Sequence, residues 1–137
     1  MKPYQFKYHV DETRRLIVFR VAGSIPSAVL IDSFIAAYRS IADPWRYDRL
    51  IDYRRYTGLT DFADIETFAE RNGEINGGQP PQYKVAVVSS DAFEQARPAT
   101  TRHLFAEDIR TFSSMDDALD WLSGAREPGE KAASRSA

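Results

Sequence analysis

The chain opens on an alternation in which Tyr4, Phe6, Tyr8 and Val10 are separated by Gln5, Lys7 and His9. A period of two predicts a strand with one face on a core and the other in water, here an edge strand. The polar turn Asp11, Glu12 and Thr13 leads into Leu16 to Ala22, which is rich in β-branched residues, and the two runs should pair as an antiparallel hairpin. Gly23 and Pro26 stop the second run. From Ser27, apolar residues recur at Leu30, Phe34, Ala37, Tyr38 and Ile41, the spacing of an amphipathic helix. Asp43-Pro44 closes it, because the residue before a proline is pushed out of the helical region.

Leu50 to Tyr53 reads as a third strand. Thr60-Asp61 is a plausible N-cap for a helix carrying Phe62, Ile65, Phe68 and Ala69 on one face, with Asp61, Asp64 and Glu66 at its positive end. The glycines and prolines of Asn72 to Pro81 predict a loop. Lys84 to Val88 is a nearly all-apolar fourth strand, as a central strand covered on both faces requires. Ser89, Ser90 and Asp91 form a cap, and a helix is expected from Pro98 to Glu107. Ile109 to Phe112 is a fifth strand, and Ser114, with Asp117 three positions on, opens a last helix through Ala118, Leu119 and Leu122.

The sum is an edge strand followed by strand-helix units at 15–41, 49–76, 84–107 and 109–122. Such alternation predicts an α/β fold, a mixed, mostly parallel five-stranded sheet with about four helices and right-handed crossovers. Residues 1–122 should form one domain and 123–137 a polar, flexible tail. A chain of 137 residues, 43% hydrophobic and 28% charged, suits that reading.

Cysteine is absent, which excludes disulfide and thiolate chemistry and favours a cytoplasmic setting. Residues 1–10 lack the apolar core of a signal peptide, and no apolar run approaches the roughly 20 residues of a membrane helix. The first 60 residues carry a charge of +4 and the remainder −6. Trp45 to Arg49 and Tyr53 to Tyr56 interleave aromatics with arginines, a pattern that can stack bases. A pI of about 5.7 and the acidic Asp48 and Asp52 weigh against nucleic acid and favour an aromatic edge for a protein partner.

Ligands of open α/β sheets sit beyond the carboxyl ends of the strands. That rule singles out Gly23-Ser24, the stretch from Asp52 to Asp61, and Ser89-Ser90-Asp91. Asp52, Arg54, Arg55, Thr57, Thr60, Asp61, Ser89 and Ser90 are the candidate residues of an anion, ligand or partner corner, with ordinary capping as the simpler role for the hydroxyls. Asp52, Asp61 and Asp64 could meet on Mg²⁺, although helix-dipole pairing accounts for the last two. His9 and His103 have no ligand spacing around them. No glycine-rich phosphate loop and no nucleophile elbow occurs, so neither a catalytic residue nor a cofactor is expected.

The stretches RLIDYRRYTGLTDFADIETFAE, KVAVVSSDAF and IRTFSSMDDALDWL, in this order, resemble the SpoIIAA-like division of the STAS superfamily. The resemblance runs from about residue 4 to residue 122 and implies a β/α superhelix over a mixed sheet. In the antagonist branch of that family, an Asp-Ser-Ser-Gly helix start carries a phosphorylated serine. Counted from Asp52, that position falls on Asp61, which leaves Thr57 and Thr60 as substitute acceptors or Asp61 as a permanent negative charge. The chain is also similar to sparsely characterised STAS-like proteins that share the fold of CRAL-TRIO lipid-binding domains. The expectation is a non-enzymatic binding or regulatory module acting through protein contacts, with a homodimer and a regulatory protein as its partners. Two alternatives stay open. One is a carrier holding an apolar ligand or lipid near Phe34, Tyr38, Phe62 and Phe68, and the other is a metal-assisted enzyme at the Asp52 to Asp61 corner.

Overall fold

The computed structural model describes residues 4–58, 62–77, 83–89 and 108–124. Strands β1 (Tyr4–Asp11), β2 (Leu16–Gly23), β3 (Asp48–Tyr56), β4 (Lys84–Val88) and β5 (Asp108–Phe112) form one five-stranded sheet in the order β1-β2-β3-β4-β5. The β1-β2 hairpin is antiparallel and every other pairing is parallel. Helices α1 (Ser27–Arg39), α2 (Phe62–Ile75) and α3 (Met115–Leu122) join a short 3₁₀ turn at Pro44–Arg46. The mixed sheet and the edge position of β1 agree with the alternation of the sequence. The helix expected at 98–107, with His103, lies outside the described residues.

Strand β2 is buried on both faces, and its alternation divides the core in two. Ile17, Phe19 and Val21 face α1 and α2, whereas Leu16 and Val18 face the α3 side. Phe19 is fully buried at the centre of an aromatic cluster, with ring centroids 5.9 Å from Phe6, 4.9 Å from Phe34 and 5.4 Å from Tyr38. On the other face, Trp121 packs on Phe112 at 5.6 Å and receives Lys84 and Arg110 over its ring. The Nζ of Lys84 also donates to the Trp121 carbonyl at 3.0 Å, tying the start of β4 to the end of α3.

The boundaries differ from the sequence expectation by more than one residue in three places. Helix α1 stops at Arg39 rather than Ile41, and the hydroxyl of Ser40 that follows it lies 2.7 Å from that of the exposed Tyr8. Strand β3 runs well beyond Leu50 to Tyr53. Helix α2 extends through Asn72 to Ile75, past the start of the expected loop, because Asn72 and Asn76 turn inward and donate to the Tyr83 hydroxyl at 3.2 and 3.0 Å. Ser114 caps α3 as its spacing predicts, accepting from the Asp117 N–H at 3.3 Å. No helix among the described residues is long and apolar enough to cross a membrane.

Replacing Phe19 by Ala should lower the unfolding free energy by about 3 to 5 kcal/mol, since a cavity opens where three elements share one ring. Urea denaturation checks this.

Candidate functional site

The carboxyl ends of β2 and β3 meet in a corner shaped by a β-bulge. Arg20 pairs with Asp52 and Ala22 with Arg55, so Tyr53 and Arg54 together oppose Val21. An extra residue in one strand bends it and re-aims the side chains that follow. Here it lets Tyr53 and Tyr56 pack together, centroids 5.0 Å apart, and both lie against the α1-α2 core. The Arg54 side chain folds back over Asp52.

Asp52 is 8% exposed and receives three hydrogen bonds from Arg54. The backbone N–H donates to Oδ1 at 3.0 Å, Nε to Oδ1 at 2.9 Å and an Nη to Oδ2 at 2.9 Å. Burial alone would raise the Asp52 carboxyl. The Arg54 bonds and the charges of Arg54 and Arg20 outweigh burial and hold it below the ordinary carboxylate value. The fork in turn raises the Arg54 guanidinium. Both carboxylate oxygens are occupied, so a metal ion would have to displace a bidentate guanidinium to use them. Among the described residues, no group of three or more His, Asp or Glu side chains is placed to hold a metal.

Beside this pair, the hydroxyls of Ser24 and Thr57 lie 2.9 Å apart, and the Thr57 N–H donates to Gly23 O at 3.0 Å. These bonds clasp the chain leaving β2 to the chain leaving β3. Gly58 sits so close to them that a Cβ would stand 3.1 Å from Ile25 O and 3.0 Å from the Tyr56 ring. Arg55 and Thr57 are exposed.

The structure therefore joins Asp52 to Arg54 and places Arg55 and Thr57 on the same rim. Ser89 is 1% exposed, with its N–H donated to Phe112 O at 2.9 Å, and belongs to the strand pairing more than to the surface. Thr60, Asp61 and Ser90 lie outside the described residues. Phe34, Tyr38 and Phe68 pack on one another with centroids 6.0 to 6.3 Å apart, so those aromatics fill the space between sheet and helices. His9 is exposed on β1.

Sequence reasoning missed Arg49, a side chain 1% exposed at the opposite, amino end of β3. Its guanidinium lies between two tyrosine rings, 4.3 Å from the Tyr38 centroid and 3.7 Å from that of Tyr83. One Nη donates to Pro44 O at 3.1 Å, while Nε is buried without a hydrogen bond. Its signal was register: Arg49, Ile51 and Tyr53 alternate onto the face that α1 and α2 cover.

No family model matches the chain, and no curated protein matches it. Solved structures do. An uncharacterised DUF3478-family protein from Shewanella loihica PV-4, described as having a SpoIIAA-like fold, superposes with a TM-score of 0.56 at 16% identity, over 89% of this chain and 95% of that one. The chain has a SpoIIAA-like fold. An anti-sigma factor antagonist from Mycobacterium paratuberculosis superposes with a TM-score of 0.53 at 14% identity, over 87% of this chain and 93% of that one. In this SpoIIAA-like fold the bulged corner lies at the carboxyl edge of the sheet, where open α/β folds place their ligands.

A carboxyl held low by folding stabilises the native state above its unfolded value and loses that contribution as pH falls through the folded value. Wild type should therefore lose stability on acidification more steeply than Asp52→Asn, the two curves converging at the acid end. Thermal melts over a pH series read the difference.

Proposed function

We propose that this chain is a non-enzymatic regulatory module that works through protein-protein contacts at the corner formed by Ser24, Asp52, Arg54, Arg55 and Thr57. The observation that carries the reading is the Asp52-Arg54 fork. It fixes a guanidinium at the rim in one orientation and engages both carboxylate oxygens, which suits display better than proton transfer or metal binding. Arg55 stands exposed next to it, and arginine is enriched where protein surfaces meet. The fold supports the same reading, because one of its structural neighbours is described as an anti-sigma factor antagonist. A protein carrying an acidic or hydroxyl-rich segment is the partner whose chemistry the rim would recognise.

The experiment is affinity capture by the tagged chain from the cells that make it, with Arg55→Glu alongside wild type. A partner held by wild type should be lost, or retained at least tenfold less, by the variant, whose melting temperature should stay within a few degrees because Arg55 is exposed. Equal capture by both proteins would sink the proposal.

A further inference from the structure

We infer that β1 is a self-association edge, pairing antiparallel with β1 of a second copy about a two-fold axis at His9. Among the described residues β1 pairs with β2 alone, so one side of an eight-residue strand without proline or glycine keeps its N–H and C=O groups for another strand. A two-fold axis normal to the sheet joins such edges antiparallel. Residues directly opposite must then share a face, so the axis passes midway between a residue and its own copy, and every pair has matching parity.

Charge selects the residue. An axis at Lys7 sets Lys7 against its own copy, and an axis at Tyr8 sets Lys7 against His9 of the second copy. An axis at His9 sets His9 against its own copy and Lys7 opposite Asp11 of the other chain, twice by symmetry. It also sets Tyr8 opposite Val10, an aromatic and β-branched combination that favours cross-strand packing. Tyr8, 40% exposed, is one of the two large apolar side chains left exposed among the described residues.

The row of charges across the sheet supports the same register. Within one chain Lys7 lies directly opposite Arg20, and Arg20 opposite Asp52. Like charges facing each other on adjacent strands destabilise the pairing, and Asp52 is committed to Arg54. Asp11 accepts the Arg14 N–H of its own chain at 3.1 Å, with the exposed Arg14 Nε 3.8 Å away, and from the second copy it adds a negative charge on the far side of Lys7, so the row reads Asp11 of the second copy, Lys7, Arg20, Asp52. The surface is separate from the bulged corner, and failure of one proposal leaves the other standing.

Sedimentation velocity over a concentration range tests the register by charge exchange. Wild type should show a monomer-dimer equilibrium. K7D and D11K should each raise the dissociation constant roughly tenfold or more, and the double variant K7D/D11K should restore most of the wild-type value, since it returns opposite charges to both positions. The restored dimer of the double variant also shows that neither substitution prevents folding. A wild-type chain that stays monomeric at all concentrations overturns the inference, as does a double variant no tighter than the singles. Should a variant fail to fold, hydrogen exchange on wild type decides, because β1 amides must exchange more slowly as concentration rises, and unchanged rates overturn the inference.

Discussion

A cation without water around it is the constraint on which the amino end of this fold depends. Taking a guanidinium into a protein interior costs several kcal/mol unless its surroundings replace hydration. For Arg49 the replacement comes from four separate stretches of chain. Tyr38 on α1 and Tyr83 before β4 supply ring faces, the turn at Pro44 supplies a carbonyl, and Asn72 on α2 and Asn76 just after it hold the Tyr83 hydroxyl. Two of these stretches lie in the β2-β3 crossover and two in the β3-β4 crossover. The amino ends of β3 and β4 are thereby set relative to both helices, and Asp48 adds a direct tie by accepting the Lys84 N–H at 2.9 Å.

A second tie holds the hairpin turn. The Tyr47 hydroxyl donates to both oxygens of Glu12 at 2.9 and 3.0 Å, and these bonds, with burial and the Glu12 charge, push the phenol above its ordinary value. With that end closed, the bulge in β3 leaves the opposite end able to present charge. Asp52 and Arg54 are two residues apart, yet the extra residue lets the arginine fold onto the carboxylate by backbone and side chain together. A closed amino end and an exposed rim at the carboxyl end are what the proposed recognition role requires.

The fold was legible where burial alone writes the pattern. Lys84 to Val88, covered on both faces, and β2, whose apolar run only the exposed Arg20 interrupts, could be read directly. Reading failed where polar residues were buried or strand geometry was irregular. Arg49 sits in a run of arginines and aromatics that looks like surface, and only its register with Ile51 and Tyr53 distinguishes it. Asn72 reads as part of the loop because glycines and prolines follow it, yet its amide is spent inside the core. The strand-end rule points to the corner, but the bulge that shapes it leaves no mark in the alternation because Tyr53 and Tyr56 are both half-buried. Trp121 went unnoticed because the spacing of the last helix was already satisfied by Ala118, Leu119 and Leu122.

The claim that a caged cation organises the amino end rests on energetic coupling between Arg49 and its tyrosines. A double-mutant cycle of Arg49→Met and Tyr83→Leu, followed by equilibrium unfolding, measures that coupling. A coupling of about 1 to 2 kcal/mol is expected for a desolvated cation against an aromatic face. Effects that add to within about 0.5 kcal/mol would contradict the account, leaving Arg49 as a buried neighbour of Tyr83 and nothing more.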